Sequence, residues 1–241
     1  MKVQITSEES KHGSAIIAGV LKWLLVNIVF LLILGASLFL AAGRMDWRLG
    51  WIFLSVITAG QTATTLMLLT TNPTLLGERA WMQKGSKFWD KVIVSLSEAG
   101  WIAMVIVAGL DARFGWSPKL GAALPVTGLA LMVLGYALFL WAMASNRFFS
   151  SFVRIQTDRG HSVATAGPYR YVRHPGYVGA LLTYLVSPLA LTALWTFIPV
   201  ALMLILFIFR TALEDRTLQA ELTGYAAYAR RVRFRFLPGV W

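Results

Sequence analysis

The chain contains no cysteine, which removes disulfides, thiolate metal sites and cysteine nucleophiles together. Acidic residues are scarce, 11 against 22 lysines and arginines, and charged residues make up only 14% of the 241 positions. Histidine occurs three times, at His12, His161 and His174. These are too dispersed for a ligand pattern such as HxxxH, so no metal centre is expected. No internal repeat and no low-complexity linker divides the chain, which reads as a single domain.

What is abundant is apolar. Hydrophobic residues reach 57% and the mean hydropathy is +0.65, values foreign to an ordinary soluble domain. A bilayer-crossing helix needs about 20 apolar residues. Such runs fall near 16–42, 47–71, 92–110 and 120–145, the third interrupted by Ser95, Ser97 and Glu98. A shorter pair, 177–191 and 194–209, makes a hairpin that barely crosses or dips in and returns. The first run is too long for a removable signal peptide and lacks a small-residue cleavage site. The expected fold is therefore an all-α polytopic membrane helical bundle of five to six spans. Residues 1–145 form a four-span scaffold, and residues 146–241 contribute a cytoplasmic loop and a C-terminal amphipathic helix that closes a pocket.

The net charge of +11 could suggest nucleic acid, but its distribution argues otherwise. With six spans, every lysine and arginine except Arg44, Arg48, Arg113 and Lys119 falls on one side. That asymmetry is the positive-inside pattern and puts both termini in the cytoplasm, in the cell's inner membrane. The basic residues then serve topology and attraction to anionic lipid, and no nucleic-acid partner is expected.

Residues 1–15 are polar and read as frayed. The segment 72–91 reads as interfacial, with Trp81 and Trp89 suited to the headgroup zone. Gly121, Gly128 and Gly135 recur every seven residues and suit close helix packing in lipid. The segment 146–166 reads as an irregular loop. Residues 214–231 place Leu218, Leu222, Tyr225 and Tyr228 on one face, with Gly224 as a weak point, as in a helix lying on the membrane surface.

The polar, ring-rich stretch from 167 to 179, GPYRYVRHPGYVG, stands between apolar runs, and a second cluster, RTALEDR, follows the hairpin. Such groups are costly to desolvate, so two clusters flanking one hairpin mark a site. Arg210 and Glu214 are four residues apart, neighbours on one helical face. They read either as a local ion pair at a helix end, or as groups that meet an anionic and a cationic or hydroxyl-bearing ligand. Pro175 suits the first turn of a helix entered at His174, where freed backbone amides could hold a carboxylate. Glu98 reads as satisfied by neighbouring polar residues such as Ser95, Ser97, Asn27 or Gln61, or as lining a substrate tunnel.

From about 146 to 241 the chain resembles the isoprenylcysteine carboxyl methyltransferase family and its relatives among phospholipid methyltransferases. The resemblance is carried by His161 and the residues after it, GPYRYVRHPGYVG, the apolar hairpin, the RxxxED segment at 210–215 and the GYxxYxxRV pattern at 224–232. It implies S-adenosyl-L-methionine as cofactor, bound by His161, Ser162, Val163, Ala164, Tyr169, His174, Pro175, Gly176, Tyr177 and Glu214, with Arg154 or Gln156 as a further contact. It also implies Arg210 and Glu214 as catalytic residues, with Arg210 and Arg173 facing the substrate. The acidic run after Arg210 is shorter than is usual in members acting on prenylated cysteine. The implied partners are a lipophilic or lipidated acceptor arriving from the bilayer, and the membrane lipids themselves. A phospholipid-type N-methyltransferase is the alternative within the enzyme class, and a small membrane transporter is the alternative outside it.

Overall fold

The computed structural model describes residues 7–80 and 82–241, with side chains from residue 13 onward. Trp81 and residues 1–6, for which interfacial and frayed roles were expected, lie outside the described residues. Eight α-helices follow in order: α1 (Ser7–Ala42), α2 (Arg48–Thr71), α3 (Pro73–Ala80), α4 (Phe88–Phe114), α5 (Ala123–Ala144), α6 (Pro175–Ala190), α7 (Phe197–Glu221) and α8 (Tyr225–Arg231). Among the described residues, five segments are long and apolar enough to cross a bilayer: 13–42, 48–71, 88–114, 123–144 and 194–221. Their outward faces are apolar and bare, as at Leu32, Leu40, Val126 and Phe209. Faces of that size need lipid rather than water.

Several boundaries differ from expectation. Helix α1 is already formed at Ser7, so the stretch 7–15 is ordered helix rather than frayed chain. Ser95, Ser97 and Glu98 leave α4 unbroken. Ser97 bonds back to Ile93 O at 2.8 Å, the way a hydroxyl is satisfied within a membrane helix. Helix α7 runs on to Glu221, past the charged cluster, and ends before Gly224, which has φ +87°. The stretch 214–231 is consequently two helices. Tyr225 and Tyr228 of α8 are turned inward and buried against the protein.

Helices α5 and α6 approach most closely through glycine. A Cβ on Gly128 would sit 2.5 Å from Ala190 N, and one on Gly135 2.5 Å from Thr183 Oγ1. On the facing helix, Gly179 meets Gly135 O in the same way. Gly121 precedes α5 and faces open space, so only two members of the seven-residue series do the packing. At one end of the bundle, Asp111 accepts from Ser117 N and Oγ, while Ser117 Oγ accepts from Leu194 N at 2.8 Å. This ties the α4–α5 loop to the turn before α7. At the other end gather α3, the loop 145–174 and the C-terminal tail, joined by contacts such as Asn72 to Arg147 O and Lys87 to Glu221. The site lies there.

Candidate active site

The loop 145–174 is irregular apart from two short 3₁₀ turns at Thr157–Arg159 and Gly167–Arg170. It is held by a few buried side chains. Gln156 is almost fully enclosed; its Nε2 donates to Phe148 O at 2.7 Å and its Oε1 accepts from Arg159. That bond presents the Phe148 ring to His161, with ring centres 4.6 Å apart. Gln156 N donates to His161 Nδ1 at 3.2 Å, which fixes the neutral imidazole with its proton on Nε2. Burial, aided by the charges of Arg154 and Arg159, pulls His161 down to about 4, so it stays neutral at physiological pH. Arg154 pairs with Glu78 and Asp158, both at 2.8 Å, and joins the loop to α3.

Helix α6 begins as expected, with His174 at its N-cap and Pro175 in the first turn. The amides of Tyr177 and Val178 donate to His174 O, and His174 N donates to Arg235 O. Those amides are therefore taken, and the helix start offers no free carboxylate cradle from them.

Asp215 organises the tail. This fully buried carboxylate accepts from Arg173 Nη2 at 2.9 Å, Tyr225 OH at 2.9 Å, Gln219 at 3.0 Å and Arg235 Nε at 3.1 Å, with His174 Nε2 3.4 Å away. Arg173 also donates to the carbonyls of Ala229, Val232 and Arg233, and its amide donates to Phe234 O. The tail beyond α7 is thus folded back and bolted to the start of α6. Tyr228 OH completes the seam on Tyr169 O at 2.8 Å.

Asp90, in the first turn of α4, is the second such anchor. It is wholly buried and accepts from Arg210 Nε at 2.7 Å and from Val153 N at 2.7 Å. Arg210 Nη2 reaches Ser151 O at 2.7 Å, and its guanidinium lies 5.1 Å from the centre of the Tyr177 ring. Arg210 and Glu214 form no ion pair with each other. Tyr177 OH donates instead to Glu214 Oε2, which leaves Oε1 open to the cavity.

These elements enclose a cavity of about 260 Å³. Of the residues expected to form a site, Arg154, Gln156, His161, Ser162, Val163, Ala164, Tyr169, Arg173, His174, Gly176, Tyr177, Arg210 and Glu214 all line it. Pro175 alone is set back, buried in the first turn of α6. The geometry separates two groups that the sequence could not. His161 Nε2, the Tyr169 hydroxyl and Glu214 Oε1 keep capacity directed at the cavity. Arg154, Gln156, Arg173 and Arg210 spend theirs on protein partners. Tyr169 accepts from Asn146 at 3.3 Å, and burial pushes its phenol up, so it remains a donor. The rings of Phe148, Phe149, Tyr177, Tyr184 and Phe207 complete the lining. Aromatic faces beside an open carboxylate favour a bound cation.

A second, larger and mostly apolar chamber of about 830 Å³ lies among α1, α2, α4, α5 and α6. Its lining includes Val26, Phe30, Ile33, Ile57, Trp101 and Tyr136. It reaches the bare outer face of α1 at Leu25 and Val29. Arg79, Glu98, Phe139, Phe152, Ala180 and Tyr184 line both spaces, so the two share one boundary. Glu98 is not satisfied by the polar residues suggested for it: Ser97 and Asn27 bond to backbone carbonyls of their own helices. Sequence reasoning passed over Asp90, Arg79 and the anchoring role of Asp215. A lone acid at the edge of an apolar run was the available signal for Asp90.

No curated protein matches the chain. The segment that runs from the middle of α5 through the loop and α6 to the end of α7, residues 128–220, matches the model of the isoprenylcysteine carboxyl methyltransferase (ICMT) family, a family of membrane methyltransferases.

Proposed function

We propose that the protein is an S-adenosyl-L-methionine-dependent methyltransferase that transfers a methyl group to the carboxylate of a lipophilic acceptor drawn from the bilayer. The observation that carries this reading is the meeting of two unlike spaces: a small cavity bearing aromatic rings and the open Glu214 carboxylate, and a chamber of apolar side chains that shares part of its lining. The residues fit the cofactor in chemistry. Glu214 Oε1 would take a hydroxyl or ammonium group, Tyr169 and His161 Nε2 would donate to acceptor atoms, and Ser162, Val163 and Ala164 would form the neighbouring wall. The rings of Phe148, Phe149 and Tyr177 would face a sulfonium.

When bound, the cofactor would supply an electrophilic methyl, whose bond to sulfur would break, leaving the electron pair on sulfur, as a bond to the acceptor oxygen formed. A carboxylate acceptor has no proton to lose, so the protein needs no general base. What its residues supply is position and exclusion of water. Arg210 and Arg173, expected to meet the acceptor, are positioning residues in this reading. Arg210 holds Asp90 and the loop at Ser151, while Arg173 holds Asp215 and the tail.

Both termini are placed in the cytoplasm in this proposal, in the inner membrane of the cell. Arg44, Arg48, Arg113 and Lys119 lie beside the α1–α2 and α4–α5 loops at the end away from the site, and the remaining basic residues follow the other side. The cofactor then enters from the cytoplasm and the acceptor enters sideways. A phospholipid-type N-methyltransferase is the second reading, favoured by Glu98, a carboxylate on the shared boundary suited to an amine. Methyl incorporation from labelled cofactor into acidic against amine-bearing lipophilic acceptors separates the two. A transporter would scatter polar residues along several spans, whereas here they gather at one end. Calorimetry with S-adenosylhomocysteine in detergent tests the reading as a whole: saturable binding is expected, and its absence would dismiss methyl transfer.

A further inference from the structure

The arginines on the cavity differ in how their charge is spent. Arg154 faces Glu78 and Asp158, Arg173 faces Asp215, and Arg210 faces Asp90, each within 3 Å. Arg79, on α3, has no carboxylate partner among the described residues. Among the described residues only Nη1 of its guanidinium nitrogens makes a hydrogen bond, to Phe149 O at 3.1 Å, and Nε is buried with no acceptor; Arg173 Nε also lacks a hydrogen bond but lies 2.9 Å from the Asp215 carboxylate. Aromatic rings surround it, with centres of Trp23 at 5.7 Å, Phe139 at 5.8 Å and Phe149 at 5.4 Å. Burial, with the like charge of Arg210 nearby, lowers Arg79 to about 10, which leaves it cationic at neutral pH.

A half-buried cation whose enclosed Nε has no acceptor calls for an anion. The place of Arg79 says which one. It lines both the small polar cavity and the apolar chamber, where an acceptor with its tail in the chamber would present its head. The guanidinium fork suits a carboxylate, pairing with it through two hydrogen bonds. Glu98 borders the same boundary from α4; in its ionised form it would repel an anion set beside it and confine the head to the Arg79 side. We propose that Arg79 is the specificity-determining residue that binds the anionic head of the methyl acceptor, a role that the family resemblance implied for Arg210 and Arg173. The proposal rests on the methyl-transfer reading. It adds a residue outside the matched segment 128–220.

The test compares binding of N-acetyl-S-farnesylcysteine with that of its carboxamide, by calorimetry in detergent with S-adenosylhomocysteine saturating. Wild-type protein is expected to prefer the acid by about tenfold or more, the scale of a charge-assisted pair. Arg79→Met should reduce that preference to within about twofold while S-adenosylhomocysteine still binds, and Arg79→Lys, which keeps the charge without the fork, should fall between. A preference undiminished in Arg79→Met overturns the proposal. So does wild-type protein that shows no preference or binds neither compound while binding S-adenosylhomocysteine. If Arg79→Met alone fails to bind S-adenosylhomocysteine, Arg79→Lys decides: a reduced preference supports the role and an unchanged one refutes it. Loss of S-adenosylhomocysteine binding in the wild type is a different failure, which removes the methyltransferase reading and this inference with it.

Discussion

Replacing Asp215 by asparagine keeps the shape of the side chain and removes its charge. The carboxylate serves Arg173, Arg235, Tyr225 and Gln219, with His174 beside it, and is itself completely enclosed. The amide nitrogen of asparagine would confront donors on guanidinium groups, and the enclosed charge of Arg173 would lose its counter-ion. Breaking a buried pair by removing one partner costs about 3–5 kcal/mol. At about 2–4 °C per kcal/mol for a chain of this size, the melting temperature should fall by roughly 6–20 °C. The damage should be local first, because the hub joins the tail to α6. Arg230, Arg231 and Arg233 are exposed but lie in backbone that is tied down through Arg173. Limited trypsinolysis in detergent should therefore release the tail of Asp215→Asn well before that of wild type. Affinity for S-adenosylhomocysteine should drop in parallel, since Tyr225 and Tyr228 line the cavity. A melting temperature within about 2 °C of wild type, with unaltered tail cleavage, would refute the claim that Asp215 bolts the tail in place.

Glu214→Gln removes the open anionic oxygen while retaining an acceptor for Tyr177, and should weaken S-adenosylhomocysteine by about 10- to 100-fold in calorimetry; a change under threefold would contradict the role. Gly135→Val should lower stability by about 1–3 kcal/mol, because its side chain would collide with Thr183 and the Gly179 carbonyl; a thermal melt unchanged from wild type would show that α5 and α6 are not packed through these glycines. His161 titrates below its ordinary 6.5, near 4, in the folded protein, so the folded state binds this proton more weakly than the unfolded chain does. Its contribution to stability is whole above pH 6.5 and is lost as the pH falls through about 4; the difference in melting temperature between wild type and His161→Gln should narrow across that window, and a constant difference would exclude the titration.

The spans were legible because a bilayer imposes a length and a composition that a single sequence records directly. The site was legible for a related reason: GPYRYVRHPGYVG and RTALEDR are too polar for their setting, and the structure brings both to one cavity. What could not be read was pairing. Asp90 lies 120 residues from Arg210 and Glu78 lies 76 from Arg154, and nothing local in either segment names its counterpart. The reading of 214–231 as helical with a weak point at Gly224 was right about both, since α7 ends at Glu221 and α8 starts at Tyr225. The spacing of Leu218, Leu222, Tyr225 and Tyr228 shows an apolar face without showing what covers it.

Those unseen pairings change how the cavity's charge is to be understood. An arginine in an apolar setting looks functional by default, and by that rule Arg154, Arg173 and Arg210 all look like ligand-binding residues. Each has a carboxylate within 3 Å, and withdrawing a buried cation from such a partner leaves two uncompensated charges where there were none. Under the proposed function, their neutrality would let a lipophilic acceptor approach without meeting a field that binds any anion. Discrimination then falls to groups left unmatched on the boundary of the two spaces, Arg79 and Glu98, whose opposite signs and different helices would orient an acceptor head rather than merely attract it. Both precede the segment 128–220 that matches the family. If the proposed methyl transfer holds, the matched segment would build the methyl-donor side of the site, and the N-terminal helices of this chain would select what is methylated.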